Sequence, residues 1–402
     1  MNTSAPVTHK FDVVITGGAM TGASLALAIE HFTNAGLTVA VVEVAILDDT
    51  KFSCDARSIA LSYGSCQLLE RIGVWQSLAP FATVINTIHI SDQGHFGLTD
   101  IHANNEDIPF LGNVIELADA RQVFHQALWN TTNVTLFCPA AVSSVERTID
   151  EVLLTLNDGQ TLKTKLWVAA DGTISSCCKM LSIDHHEHDF KQIALIANIT
   201  TELQHKGHAF ERFTHSGPLA LLPLSRGRCS LVWCLNSEDA SVLLRSSNNE
   251  FLDALQRTFG WRLGRLVSVG QRRLYPLILH QSTRIISHRF AVVGNAAQTL
   301  HPIAGQGFNL GLRDVVTLAE EISSMYQQNQ DCGEMEMLQS YQQRRFPDRN
   351  TIIAITSGLV HGFSNTSLPL TFGRNLSLVA LSVFNGLKTP LFQHAMGLVR
   401  RP

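Results

Sequence analysis

The sequence predicts an α/β chain: a parallel sheet opened by a βαβ unit, an antiparallel-sheet domain inserted into it, and a helical C-terminus. Three observations carry that expectation. "FDVVIT" (11–16), a glycine cluster, "MTGASLALAIEHF" (20–32) and "LTVAVVEV" (37–44) follow one another as strand, turn, helix and strand. Short strand-like runs crowd residues 190–236. Late in the chain, "RFAVVG" (289–294) restores a single buried-type strand ahead of a glycine-rich loop and a long helix.

The elements follow in order. The first βαβ unit is expected to cross over right-handed. "LADARQVFHQALW" (117–129) has helical spacing, with Leu117, Val123, Phe124 and Leu128 on one face. Strand-like runs over 134–168 include Asp158–Gly159, a hairpin turn between alternating segments. "QIALIANIT", "AFERFTH", "LALLPL" and "CSLVWCL" read as an antiparallel sheet, and the helix after the glycine-rich loop runs to about residue 325. The expected division assigns 1–85, 115–185 and 284–330 to the first domain and 86–114 and 186–283 to the inserted one, with 331–402 a C-terminal helical region.

Composition narrows the classes. At 402 residues, 45% hydrophobic and 16% charged, the chain is too long for one ordinary core. A net charge of −4 gives no reason to expect nucleic acid as a partner. The eight cysteines, Cys177–Cys178 among them, show no repeated C-x-x-C spacing and read as reduced thiols of a cytoplasmic protein. The N-terminus lacks the apolar core of a signal peptide, and no stretch has the length of a spanning helix.

Three glycine-bearing motifs carry chemistry. "VITGGAMTGASLAL" sets Gly17, Gly18 and Gly22 between strand and helix, where a dinucleotide fingerprint needs a tight turn, close pyrophosphate approach and helix packing. Ala19 holds its middle position. Glu43, 21 positions after Gly22, suits ribose hydroxyls and repels a 2′-phosphate, favouring FAD or NAD over NADP there. "WVAADGTISS" (167–176) brings Asp171–Gly172 to the end of an apolar strand, with Ser175 three positions on. An ordinary turn explains that dipeptide equally well, as at 158–159. The third motif, "GNAAQTLHPIAGQGFNLGLRDV", delivers Gly294–Asn295, then Pro302, then Gly305-Gln306-Gly307 before a helix holding Leu310, Leu312, Val315 and Leu318. Small residues at a helix start let N–H groups approach a flat acceptor, and the positive helix end steadies the anion of a reduced flavin.

In this order and spacing the motifs resemble the FAD-dependent aromatic hydroxylases, the class A flavoprotein monooxygenases, over nearly the whole chain. "GNAAQTLHPIAGQGFNLGLRD" is similar to their ubiquinone-biosynthesis branch. "DARSIAL" (55–61), "AFERFTHSGPLALLP" (209–223) and "CSLVWC" (229–234) look most like the 2-polyprenyl-6-methoxyphenol hydroxylases within it. The resemblance implies a Rossmann-like FAD-binding domain carrying an inserted substrate domain. It assigns Gly17, Gly18, Ala19 and Gly22 to the FAD pyrophosphate loop and Glu43 to the ribose. Arg57 becomes the flavin-side arginine and Arg121 a second FAD contact. Asp171, Gly172 and Ser175 match the motif shared by FAD and the nicotinamide cofactor, Asn295 the ribityl contact, and Gly305, Gln306, Gly307, Phe308 and Asn309 the ring. Arg57, His301 and Gln306 are the implied catalytic residues, although His301 packed against the loop backbone is an equal reading. Cys178 stands where that motif usually has arginine. The implied reaction uses NAD(P)H to reduce FAD and O2 to form a flavin hydroperoxide, whose distal oxygen passes to a polyprenylated phenol. Other ubiquinone-biosynthesis proteins are the implied partners, and a homo-oligomer is allowed.

"HHEH" (185–188) is expected to be a polar surface loop, with no metal site. The tail "SLPLTFGRNLSLVALSVFNGLKTPLFQHAMGLVRR" suits both a covering helix and an apolar surface docking at the inner face of the cell membrane. Competing readings are a sister hydroxylase acting at another ring position and a non-catalytic scaffold. A halogenase would carry W-x-W-x-I-P, whereas Trp233 stands alone.

Overall fold

A computed structural model describes residues 7–45, 56–94, 97–301, 305–364, 394 and 396–398. β1 (Thr8–Thr16) leads into α1 (Met20–Thr33) and β2 (Val39–Val42). Next come β3 (Ser58–Ser62), α2 (Tyr63–Arg71), α3 (Trp75–Leu78), β4 (Thr83–Ile85), β5 (Thr87–Asp92), β6 (Leu98–His102) and β7 (Gly112–Glu116). α4 (Leu117–Trp129) precedes β8 (Val134–Phe137), β9 (Val142–Arg147), β10 (Val152–Leu156), β11 (Thr161–Ala169) and α5 (Ser176–Met180). Then follow β12 (His185–Thr201), β13 (His208–Thr214), β14 (Gly217–Pro223), β15 (Arg228–Leu235), α6 (Ser237–Arg245), α7 (Asn248–Phe259), β16 (Leu266–Val269) and β17 (Arg273–Ser282). β18 (Ile286–Ser287), β19 (Phe290–Val292), β20 (Gln298–Thr299), α8 (Gln306–Gln327) and α9 (Met335–Ser364) complete the order.

The strands form three sheets. In the first, β19, β11, β1, β2 and β8 run parallel, with β18, β10 and β9 added antiparallel. Its central strands are covered on both faces, and Val13–Ile15 and Val39–Val42 are wholly buried, as continuous β-branched runs require. α1 is apolar nearly all round because it lies between this sheet and α8. Gly311 of α8 allows that approach, since a Cβ there would stand 3.1 Å from the Cα of Gly294.

The second sheet runs β20-β17-β12-β15-β14-β13-β5-β6, with β16 beside β12. Its side chains alternate. Leu195, Ala197 and Ile199 of β12 bury against Phe251, Leu255 and Phe259 of α7, a helix begun by a Ser247–Glu250 capping box. Ala194 and Ile196 turn to the opposite face with Val232, Cys234, Tyr275 and Leu277. The small third sheet, β3-β7-β4, packs through Ile85, Leu111 and Val114 on Ala209 of that opposite face.

The 185–188 tract differs from expectation. It opens β12 rather than forming a loop, because pairing His185 with Ser282 and Glu187 with His280 supplies the ladder that local polarity does not reveal. The tail reading lies outside the described residues except at 394 and 396–398. No helix among the described residues is long and apolar enough to cross a membrane.

Candidate active site

The parallel strands bring one end of the site together. Thr16 pairs with Val42 and Ala169, and Ala169 with Val292, so the C-terminal ends of β1, β2, β11 and β19 share one edge. Open α/β sheets take ligands in the crevice beyond such an edge. Gly17 holds φ +102°, and a Cβ there would stand 2.4 Å from the Ala170 carbonyl oxygen; one on Gly22 would stand 1.8 Å from that of Gly17. Only glycine fits either position. Gly18 N–H donates to Glu43 Oε2 at 2.6 Å and Ala45 N–H to Oε1 at 2.8 Å, which sets the acid against the turn. α1 starts at Ala19 without a side-chain cap, so its first N–H groups face outward as an anion seat.

Asp171 Oδ2 accepts from Ser176 N–H (2.8 Å), Ser176 Oγ (3.0 Å) and Cys177 N–H (3.2 Å), while Ser175 Oγ accepts from Cys178 N–H. The two residues thus cap α5. The other oxygen of Asp171 is buried without a hydrogen-bond partner among the described residues, and Gly172 opens onto free space. Burial pushes the Cys178 thiol up, so a neutral group stands where the motif usually has arginine. Asn295 is exposed in the turn after β19, and Arg121 is half-buried on α4, which packs on α1.

At the other end, Gly305 caps α8 with φ +60° and presses on Ala60 of β3, where a Cβ would come within 3.0 Å. Among the described residues, a Cβ on Gly307 would meet nothing within 4 Å. Gln306 is buried there. Asn309 spends its side chain within the protein: Oδ1 accepts from Ser62 N–H at 3.0 Å, and Nδ2 donates to Ala60 O (2.9 Å) and Gly305 O (2.8 Å). Phe308 turns back to Phe124 of α4, 6.5 Å between centroids. Both residues hold the loop in place. Pro302 lies outside the described residues.

Arg57 links β3 to the second sheet, its guanidinium 5.3 Å from the ring centroid of Tyr275. His301 is buried, bonds Gln192 Oε1 through Nε2 at 3.1 Å and meets Phe190 edge-on at 5.0 Å. Gln192 in turn donates to Ser216 O at 2.8 Å. Burial lowers the His301 imidazole to about 4, so it is neutral.

Sequence reasoning missed Tyr275, Gln192 and a buried ion network behind the site. Asp314 of α8 accepts from Arg345 Nε (2.7 Å), Gln298 Nε2 (2.8 Å) and Gly294 N–H (3.2 Å), while Asp348 bridges Arg345 and Arg313. Burial favours the neutral Asp348, yet Arg345 and Arg313 hold its carboxyl below its ordinary value. Charges inside "LGLRDVVTL" were the available signal. His280 joins His185 and Glu187, their ligand atoms within 4.8 Å of one another, so a distant partner for the histidine tract does exist. Glu187 hydrogen-bonds His185 and faces His280, and that pairing accounts for the three.

The arrangement fits FAD: a glycine turn with no room for Cβ, a helix start without a side-chain cap and an acid bonded to that turn lie at one end, and at the other the first turn of α8 has no described neighbour within 4 Å of a Cβ on Gly307. The FAD binding domain family matches residues 10–354. The ubiquinone hydroxylase UbiL of Rhodospirillum rubrum is 35% identical over 393 residues, covering 97% of this chain and 90% of that protein. The 3-demethoxyubiquinol 3-hydroxylase of Escherichia coli is 31% identical over 405 residues, covering 96% and 98%. The crystal structure of p-nitrophenol 4-monooxygenase PnpA from Pseudomonas putida superposes with a TM-score of 0.78 over 97% of this chain and 98% of that one, at 16% identity, and shares its fold.

Proposed function

Since the chain belongs to the FAD-binding monooxygenase family and, within it, to the ubiquinone-biosynthesis hydroxylases, we propose that it hydroxylates 2-polyprenyl-6-methoxyphenol to the corresponding benzoquinol. It is an FAD-dependent aromatic monooxygenase, and NAD(P)H and O2 are the co-substrates of that class. The observation that carries the substrate reading is the apolar sheet face of Ala194, Ile196, Val232 and Tyr275, reached by Arg57 from beside β3.

When bound, FAD supplies the activation of O2 with electrons from NAD(P)H. The protein's own share is binding, orientation and exclusion of water. Gly17, Gly18 and the α1 N-terminus would hold the pyrophosphate, and Glu43 the ribose. Gly305, Gln306 and Gly307 would flank the ring, with the positive end of α8 facing charge that develops there. Arg57, kept in place over Tyr275, borders the phenol's seat. The apolar face excludes water, which limits unproductive release of peroxide. Peripheral contact with the inner face of the cell membrane and with other ubiquinone-biosynthesis proteins would deliver so apolar a substrate.

The test is product analysis with ring-labelled short-chain phenols alongside NAD(P)H consumption. One hydroxylated product per NAD(P)H at the ring position para to the phenol oxygen supports the reading. Hydroxylation elsewhere identifies a sister enzyme, and peroxide as the sole product for every phenol defeats the substrate reading.

A further inference from the structure

One acid, Glu211, stands on the face of the second sheet turned away from α7 with no partner among the described residues. The register sets Glu211 of β13 beside Ala220 of β14, Ala220 beside Val232 of β15, and Val232 beside Ile196 of β12. Ile196 and Val232 belong to the face turned away from α7, so Glu211 shares that face. Two residues before it on the same side, Ala209 packs on the β4–β7 sheet. In the neighbouring row, Cys234 and Ala194 lead to Tyr275, over which Arg57 lies. Glu211 therefore sits between the patch that carries the third sheet and the patch that faces the flavin loop. α9 packs on β13 and β14 from the same side.

Among the described residues no hydrogen bond or ion pair reaches the Glu211 carboxylate. Its side chain is half-buried. Burial alone pushes its carboxyl up to about 7. A structural acid so placed would have a cation or N–H donors, because an unpaired buried charge is costly. An acid that is instead available, in a space the substrate must enter, suits proton transfer near neutral pH.

We propose that Glu211 is the catalytic acid–base group that takes the phenolic proton of the substrate. This inference rests on the hydroxylase reading. The phenol O–H bond breaks, an O–H bond forms on the Glu211 carboxylate, and the electron pair stays on the phenolate oxygen. That pair raises electron density at the ortho and para ring carbons, where an electrophilic oxygen is accepted. The titratable and charged groups sharing the face include Cys234, Tyr275, Arg273, Asp92, His188 and Arg228, the last paired with Glu116 of β7, with Arg57 entering from beside β3. The Cys234 thiol is itself pushed up by burial and then by Glu211. On α9, Arg345 and Asp348 are paired with each other and with Asp314 and Arg313, Arg349 donates to Gln298, and no described side chain of that helix after Arg349 is ionisable.

The experiment uses FAD-loaded wild type, Glu211→Gln and Glu211→Asp with 2-geranyl-6-methoxyphenol and its methyl ether. Hydroxylated product per NAD(P)H is followed against pH, and binding is read from the flavin spectrum. Wild type is expected to lose hydroxylation as pH falls through about 7. Glu211→Gln is expected to lose about 100-fold and the pH limb with it, at unchanged FAD content, while Glu211→Asp keeps the limb. A Glu211→Gln enzyme with wild-type rate and limb overturns the assignment and leaves the hydroxylase reading standing. If wild type yields peroxide alone, the hydroxylase reading fails, and binding decides for Glu211. A preference for the phenol over its ether above pH 7 that Glu211→Gln abolishes supports the assignment, and no such preference overturns it.

Discussion

His301 joins the segment after β20 to the second sheet through Gln192, and its burial sets a pH limit on the fold. The imidazole is lowered to about 4 in the native chain, against about 6.5 when unfolded. The native state therefore binds fewer protons between those values, and the stability this group contributes is present above about 6.5 and lost as pH falls toward 4. Urea unfolding of wild type should lose on the order of 3 kcal/mol across that interval from this residue. His301→Gln should show a correspondingly shallower decline, and identical slopes would remove the burial argument. The residues legible in the sequence were those whose geometry is local. Gly17, Gly22 and Glu43 announce a turn and an acid at a spacing that one βαβ unit determines. Asn309 was expected at the ring, but its partners Ser62 and Ala60 lie some 250 positions away, and no local pattern carries that contact. Glu211 was invisible for a related reason: only the register shows which face it takes.

Among the elements, α4 and α8 follow their sequence periodicity closely, because each buries an apolar stripe, whereas α1 is buried nearly all round. What the periodicity of α8 conceals is Asp314, fully buried on a helix otherwise packed with Leu and Val. It ties α8 to the Gly294 turn and to Arg345 of α9, so the turn after β19 is held by a helix more than forty residues downstream. Asp314→Asn should cost about 3–5 kcal/mol in chemical denaturation, because Arg345 is left buried and short of charge. Asp314→Asn with Arg345→Met should cost less than the sum of the two single changes. Additive losses would mean the pair is not coupled. Residues 86–114 were expected in the inserted domain, but the partner β13 of β5, and the separate β3-β7-β4 sheet, were not legible because strand partners so distant leave no spacing to read.

At the scale of the molecule, the seat proposed for the flavin draws on β1, β2, β11, β19 and α8, all within one hydrophobic core. Loading with FAD should therefore raise the stability of the whole first sheet rather than a single loop. At free FAD about 100-fold above its dissociation constant the gain is about 2.7 kcal/mol. Flavin fluorescence and far-ultraviolet dichroism should then report one shared melting transition; a flavin signal lost well before the dichroism would show a seat that opens by itself.

The interleaving of the sheets has a consequence for synthesis. β19, which completes the central pairing beside β11, is made only after all of β12 to β17, and Gly305 with α8 follows later still. A nascent chain stopped near residue 285 would leave the ribosome with its glycine turn formed in sequence but with one wall of the crevice missing. Capture of the cofactor must wait until about four-fifths of the polypeptide has been translated, so a prematurely terminated product would emerge colourless however intact its first motif.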